Sequence, residues 1–331
     1  MDKFIPSYIE FIKANPCEQQ HRFYIENSGQ NSYGIVEDTD VVILRNAQTI
    51  LDMCAEMNRA SKIILHSLWI PMACRYLLKN TLLLKKSFWV MWGAEYYYPE
   101  KKSDEIKFLI QQMGHCITYI DGDYQYVKKH YGATGRLHDC LLYSSNTFSG
   151  ECSIPSDNNH INIQVGNSAD PSNAHLEVFD LLKNNIDTNT NVFVPLSYGD
   201  NQYAARVVDY GRSRLGDRFF PLTEFVPYDV YKEHLASIDI AIFNHDRQQA
   251  MGNIVQFLGL GKKVILRKNL SHRTHLENQG LVIGDFDNDM TVNRLSVSDA
   301  QKNNKIISTL YSSEQLLRDW NNIFEFDLQA A

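Results

Sequence analysis

The chain has 331 residues, 44% hydrophobic and 21% charged, which excludes a disordered or fibrous protein and leaves room for about two domains with proper cores. Its formal net charge of −7 excludes a nucleic-acid binder that works by general basicity, although local basic patches remain open to it. The six cysteines (Cys17, Cys54, Cys74, Cys116, Cys140 and Cys152) form no C-x-x-C pair and no zinc-like spacing, so they read as reduced thiols of a cytosolic protein.

Ile5, Ile9, Phe11 and Ile12 recur at helical spacing, and Arg22 to Glu26 follows as a strand. An α/β domain ordinarily begins on a strand, so the reading expects a first strand to be missing ahead of that helix. Strand-like runs then alternate with helical segments: Val41–Leu44, Lys62–Leu65, Phe88–Trp92 and Cys116–Ile120. Such alternation specifies a parallel sheet covered by helices. From Ser144 to His160 the composition turns to Ser, Asn, Gly, Pro and Asp, the signature of a linker. The alternation restarts with Ile161–Val165, Asn191–Leu196, Ile238–Phe243, Lys263–Leu266 and a run from Leu281 to Ile283. The expected organisation is therefore an α/β domain over 1–143, a linker over 144–160 and a second α/β domain over 161–311. A last helix over 312–331, apolar at Leu316, Leu317, Trp320 and Ile323, is expected to cross back to the first domain. No apolar run reaches bilayer-spanning length and the amino terminus lacks a signal-peptide pattern, so any membrane contact is expected to be peripheral.

Three loops of the second half carry candidate chemistry. His245–Gln249 lies between a strand and a helix, where free N–H groups and partial positive charge favour an anion by about 0.3–1 kcal/mol. Arg247 adds a fixed cation and Gly252 lets the backbone approach closely, with Gln248, Gln249 and Asn253 as further candidate donor contacts. The alternative is that Arg247 pairs with a surface carboxylate such as Asp246 or Asp239, and that the glycines only cap and pack. The loop Gly166, Asn167, Ser168, Ala169, Asp170, Pro171, Ser172, Asn173 suits phosphate or ribose contacts, the alternative being plain capping by Asp170 or Ser172. Tyr198 could stack on a base or sugar ring beside the turn at Gly199, or the two could belong to an ordinary turn.

In the first half, Glu95 ends a strand beside Tyr96, Tyr97 and Tyr98, where a carboxylate could take a proton from a sugar hydroxyl; a solvated loop residue is the other reading. His66, also just past a strand, is a second candidate base. In Asp121-Gly122-Asp123 the second acid reads as a helix cap, and no metal is expected there. His272 and His275 lack a third ligand and read as surface residues. Lys79, Lys85, Lys86, Lys101 and Lys102 lie among Trp69, Leu82 to Leu84 and Tyr96 to Tyr98, a mixture that would suit an anionic bilayer face or merely a solvated one.

With FWVMWGAEYY from Phe88, IQVGNSADPSNAH from Ile163, VPLSYGDNQY from Val194 and NHDRQQAMGN from Asn244, the chain resembles glycosyltransferase family 56. These are the bacterial TDP-N-acetylfucosamine:lipid II N-acetylfucosaminyltransferases. The resemblance implies a GT-B-like fold, two Rossmann-type parallel-sheet domains facing each other across a cleft. It implies a TDP-sugar donor held mainly by the second domain and a polyprenyl-diphosphate-linked glycan acceptor meeting the first. It further implies work at the cytoplasmic face of the inner membrane, in surface polysaccharide synthesis such as that of enterobacterial common antigen, without a metal cofactor. Gly166, Asn167, Ser168, Arg247, Gln248 and Gln249 correspond to the donor region, and Glu95 stands where the family is expected to carry aspartate. The rival from another class is a non-catalytic nucleotide-sugar or glycan-binding protein of the same fold; a third reading is a nucleotide-sugar epimerase.

Overall fold

The structure is a computed structural model that describes residues 4–26, 34–69, 71–153, 160–288 and 290–328. The chain divides into two units, Met1–Ser145 with Ser313–Ala331, and Asn146–Ser312. Of the expected linker, residues 154–159 lie outside the described residues.

The first unit opens on α1 (Phe4–Ala14), β1 (Phe23–Ile25), β2 (Val41–Ile43) and α2 (Ala47–Arg59). It continues through β3 (Ile63–His66), α3 (Pro71–Lys79), β4 (Ser87–Val90), α4 (Gly93–Tyr96) and α5 (Asp104–Gln112) to β5 (His115–Ile117), α6 (Asp121–Tyr131) and β6 (Arg136–His138). Local signals set the helix bounds: Asn46 caps α2 reciprocally with Thr49, Ser103 caps α5, and α6 stops at Gly132 with φ 68°. Strands β3-β4-β5-β6 form one parallel sheet, while β1 and β2 pair as a separate parallel ribbon. Trp89, Leu77, Leu109, Val127 and Cys116 fill the core on one side of this sheet.

In the second unit the order is β7 (Ile161–Val165), α7 (His175–Asn185), β8 (Thr190–Pro195), α8 (Asn201–Leu215), β9 (Phe219–Leu222), α9 (Tyr228–Ser237) and β10 (Ile240–Phe243). Then come α10 (Met251–Gly259), β11 (Lys263–Leu266), α11 (Ser271–Asn278), β12 (Gly284–Asp285) and α12 (Val297–Leu310). The sheet runs β12-β11-β10-β7-β8-β9 with every pair parallel. Each residue of β10 and β11 is buried, as expected of strands covered by helices on both faces. The run from Leu281 to Ile283 is not a strand; pairing falls on Gly284 and Asp285 instead, opposite Ile265 and Leu266.

Helix α13 (Ser313–Glu325) belongs to the first unit. Trp320 is fully buried there and its Nε1 donates to the Leu142 carbonyl at 3.0 Å, while Asp319 Oδ2 accepts the Leu141 N–H at 3.1 Å. Lys62 Nζ satisfies the Phe324 carbonyl near the helix end at 2.7 Å.

Candidate functional site

Because β7, β8 and β10 are parallel neighbours, the loops that follow them emerge at one edge of the sheet, the edge where open α/β sheets take ligands. Backbone sterics bring the first two loops together. Gly199 has φ 118°, and a side chain there would stand 2.7 Å from the Ala169 carbonyl carbon. With that space open, the Ala169 N–H reaches the Tyr198 carbonyl at 2.8 Å and the Asp200 N–H reaches the Ala169 carbonyl at 3.1 Å. Gly166, at φ 69°, leaves room in the same way for His175 Nε2 and Asn173 Oδ1, which a side chain would meet at 2.5 and 2.7 Å.

A web of side-chain hydrogen bonds then joins all three loops. Asn167 Nδ2 donates to Tyr198 Oη at 2.9 Å, and Gln249 Nε2 to Asn167 Oδ1 at 3.4 Å. Ser172 Oγ donates to Gln249 Oε1 at 2.7 Å, while Asp170 Oδ1 accepts the Ser172 N–H at 2.9 Å. Asn173 Oδ1 accepts the Asn167 N–H at 3.0 Å, and its Nδ2 donates to the Asp170 carbonyl at 2.9 Å. Burial sorts the candidates: Gly166, Asn167, Ser168 and Asn173 are buried and form the floor. Asp170, Arg247, Gln248 and Gln249 are half-buried, Gly199 is exposed, and Tyr198 is 45% exposed, so these are open to solvent.

Arg247 and the start of α10 supply the positive potential. Ala250, at φ 62°, gives α10 no side-chain cap and its first turn carries no acid, whereas α8 is capped by Asp200 at 2.8 and 2.9 Å. The unshared N–H groups of α10 are thus not neutralised by a capping side chain or a carboxylate of their own helix. The carboxylate beside Arg247 is Asp170, not Asp246 or Asp239: Nη2 lies 4.0 Å from Asp170 Oδ2, the outer limit of an ion pair, and Nη1 donates to the Gln248 carbonyl at 3.2 Å. Asp239 is engaged by Arg294 at 2.8 Å and by the Asn162 N–H at 2.9 Å. Gly252 lies in the first turn of α10, and Asn253 Oδ1 accepts from Tyr231 Oη at 2.9 Å. One loop therefore offers a fixed cation and an open helix start, which together can hold an anion.

The first-unit candidates are placed differently. Glu95 is 1% exposed; its Oε1 accepts the Leu68 N–H at 2.6 Å and its Oε2 accepts Trp89 Nε1 at 2.8 Å. Burial, partly offset by those hydrogen bonds, pushes its carboxyl up to about 7. A carboxylate whose two oxygens each hold an internal N–H is a fastener of the Ser67–Trp69 loop, not a base open to a sugar hydroxyl. His66 is held against Tyr8, Tyr143 and Trp320, with Nδ1 2.9 Å from Tyr143 Oη, and burial takes it down to about 3, so it is a weak base. Asp123 is no helix cap: it is buried and accepts from Tyr96 Oη at 2.7 Å and Tyr97 Oη at 2.8 Å. Nor is His272 on the surface; it is fully buried, and among the described residues neither ring nitrogen has a partner. Of the lysines, Lys86 donates to the Asn58 and Ala60 carbonyls and Lys102 to the Ala94 carbonyl at 2.6 Å, while Lys79, Lys85 and Lys101 are exposed. Trp69 and Leu82 are exposed by 58% and 78%, whereas Leu84 and Tyr96 are buried. No described helix is long and apolar enough to cross a membrane.

Residues 8–325 match the family described as 4-alpha-L-fucosyltransferase, glycosyl transferase group 56. The chain belongs to this family. Solved structures share the architecture of this group 56 glycosyltransferase. A glycosyltransferase from Rickettsia africae ESF-5 aligns with a TM-score of 0.59 and 12% identity over 86% of this chain and 85% of that one. The apo structure of OtsA aligns with a TM-score of 0.58 and 9% identity over 98% and 96% of the two chains. An alpha,alpha-trehalose 6-phosphate synthase from Burkholderia multivorans aligns with a TM-score of 0.57 and 9% identity over 87% and 78%. At these identities the likeness is one of fold, and the fold is GT-B.

Two histidines of this loop cluster carry no role in the sequence reading. His245 lies directly against the floor, its Nε2 2.9 Å from Asn173 Oδ1, and His175 faces Gly166. A polar pair, Asn244-His245, immediately after a wholly buried strand was the available signal, since polar groups at such depth need partners.

Proposed function

We propose that this glycosyltransferase moves a deoxyamino-hexose of the 4-acetamido-4,6-dideoxygalactose type from a TDP-sugar to a hydroxyl of a polyprenyl-diphosphate-linked oligosaccharide. The observation that carries the donor half of this reading is Arg247 beside the uncapped start of α10, at an edge lined by Asp170, Tyr198 and Gln249. In the transfer the acceptor oxygen bonds to the anomeric carbon as the bond from that carbon to the β-phosphate oxygen breaks. TDP leaves with the electron pair, and the acceptor proton passes to a base. Charge growing on the departing diphosphate is met by Arg247, a charge-assisted contact of about 1.5–3 kcal/mol, and by the N–H groups of α10. Asp170 and Gln249 can orient hydroxyls of the donor, and Tyr198 can stack on a ring. Glu95 is left out of the proton transfer because its oxygens are occupied.

The family resemblance supports the TDP nucleotide, the lipid-linked acceptor and a place in surface polysaccharide assembly of the enterobacterial common antigen or O-antigen kind. Exposed Trp69 and Leu82 with Lys79, Lys85 and Lys101 support peripheral contact with the cytoplasmic face of the inner membrane. Since protein groups meet the diphosphate charge on this reading, magnesium should add nothing to binding.

Calorimetric titration with TDP and with UDP, each with and without magnesium, tests the donor half. TDP should bind more tightly than UDP and equally in the presence of chelator. Arg247→Ala should weaken TDP by about 10- to 100-fold, the loss of one charge-assisted contact, with an unchanged melting temperature. Equal TDP affinity in that variant would remove Arg247 from the site.

A further inference from the structure

The loop 244–250 is fastened to the loop 166–174 side chain by side chain. At one end Asn244 Nδ2 donates to Glu177 Oε2 at 2.9 Å and to the Ala174 carbonyl at 3.4 Å, and Arg267 donates to both Asn244 Oδ1 and Glu177. At the other end Gln249 joins Asn167 and Ser172. Arg247 stands between these fastenings, and its own approach to Asp170 is long at 4.0 Å. The remaining link is His245, two residues before Arg247, on Asn173 at 2.9 Å.

The protons of that link are fixed by its surroundings. Asn173 Oδ1 already accepts the Asn167 N–H, so the atom facing His245 Nε2 is an acceptor and Nε2 must carry the hydrogen. Nδ1 is then a bare lone pair, buried and without a partner among the described residues. Protonating it would create an orphaned donor in a fully buried ring near the charge of Arg247. Both His245 and Asn173 are 0% exposed, so neither can touch a donor.

We propose that His245 is a positioning residue: through Asn173 it sets the backbone from which Arg247 projects, and thereby sets the affinity for the diphosphate without contacting it. The proposal rests on the donor reading above and deepens it. Asn173, a candidate contact in the sequence, becomes the node of the same device.

The test is a double-mutant cycle on TDP binding, measured by calorimetry on the full chain. His245→Phe keeps a ring and removes the donor; it should weaken TDP about tenfold or more. His245→Gln can again offer an N–H and should return affinity to within about threefold of wild type. In an Arg247→Ala background, His245→Phe should cost less than about twofold more, because its effect runs through Arg247. An unchanged affinity in folded His245→Phe would overturn the proposal, as would a tenfold further loss in the Arg247→Ala background. Wild-type protein that binds no TDP overturns the donor reading and this proposal with it, whereas wild-type binding with an indifferent His245→Phe overturns this proposal alone. Should His245→Phe fail to fold, the wild-type histidine nitrogen spectrum decides: His245 should be the Nε2–H tautomer with and without TDP, and an Nδ1–H tautomer would contradict the proposal.

Discussion

Glu95 gives the first unit a pH-dependent stability whose sign runs against the usual behaviour of a paired carboxylate. Its carboxyl sits at about 7 instead of 4.5 because burial outweighs the N–H groups of Trp89 and Leu68. Between about pH 4.5 and 7 the folded chain therefore keeps a proton that the unfolded chain has released, so stability falls as pH rises through that window. The gap from 4.5 to about 7 corresponds to about 3 kcal/mol, present as a loss above pH 7 and absent below 4.5. Glu95→Gln is neutral throughout; it turns an NH2 toward one of two N–H donors, costing about 1–3 kcal/mol at every pH, but abolishes the slope. All four tryptophans, Trp69, Trp89, Trp92 and Trp320, lie in the unit that holds Glu95, so intrinsic fluorescence in urea follows that unit. From pH 5 to pH 8 the wild type should lose about 2–3 kcal/mol more than Glu95→Gln does, other titrating groups being common to both. Slopes equal to within about 0.5 kcal/mol would refute the buried, proton-holding carboxyl.

Two other substitutions probe the second unit. Gly166→Ala places a methyl group 2.5 Å from His175 Nε2 and 2.7 Å from Asn173 Oδ1 at a φ of 69°, so it should lower the melting temperature and weaken TDP together; a normal melt with normal binding would count against the floor described above. His272→Phe replaces a fully buried ring whose two nitrogens have no partner among the described residues, so it should leave stability unchanged or raise it, read by thermal melting; a loss beyond about 2 kcal/mol would show that the ring has a partner.

The fold was legible because strands covered on both faces carry apolar runs, as Ile240–Phe243 and residues 264–266 do, while Ile161–Val165 shows itself by apolar residues at every second position. Arg136–His138 and Phe219–Leu222 escaped because both are short edge strands: the first has no apolar run, and the second is interrupted by Pro221, which a central strand would not carry. The loop chemistry was legible in part: glycine with small polar residues just past a strand marks Gly166–Asn173. Its wiring was not, since Asn173 and His245 are 72 positions apart and meet only through the β7–β10 register. Asp123 looked like a cap because an acid at a helix start usually is one, but the hydroxyls of Tyr96 and Tyr97 claim its oxygens. His272 and His275 share a helix whose periodicity is weak, so the sequence did not reveal that His272 faces inward.

The most direct measurement is a crystal structure of the chain with TDP. The diphosphate should lie at the start of α10, its oxygens within about 3 Å of the Arg247 guanidinium and of backbone N–H groups in the first turn. Nucleotide bound with its phosphates away from Arg247 and α10 would contradict it.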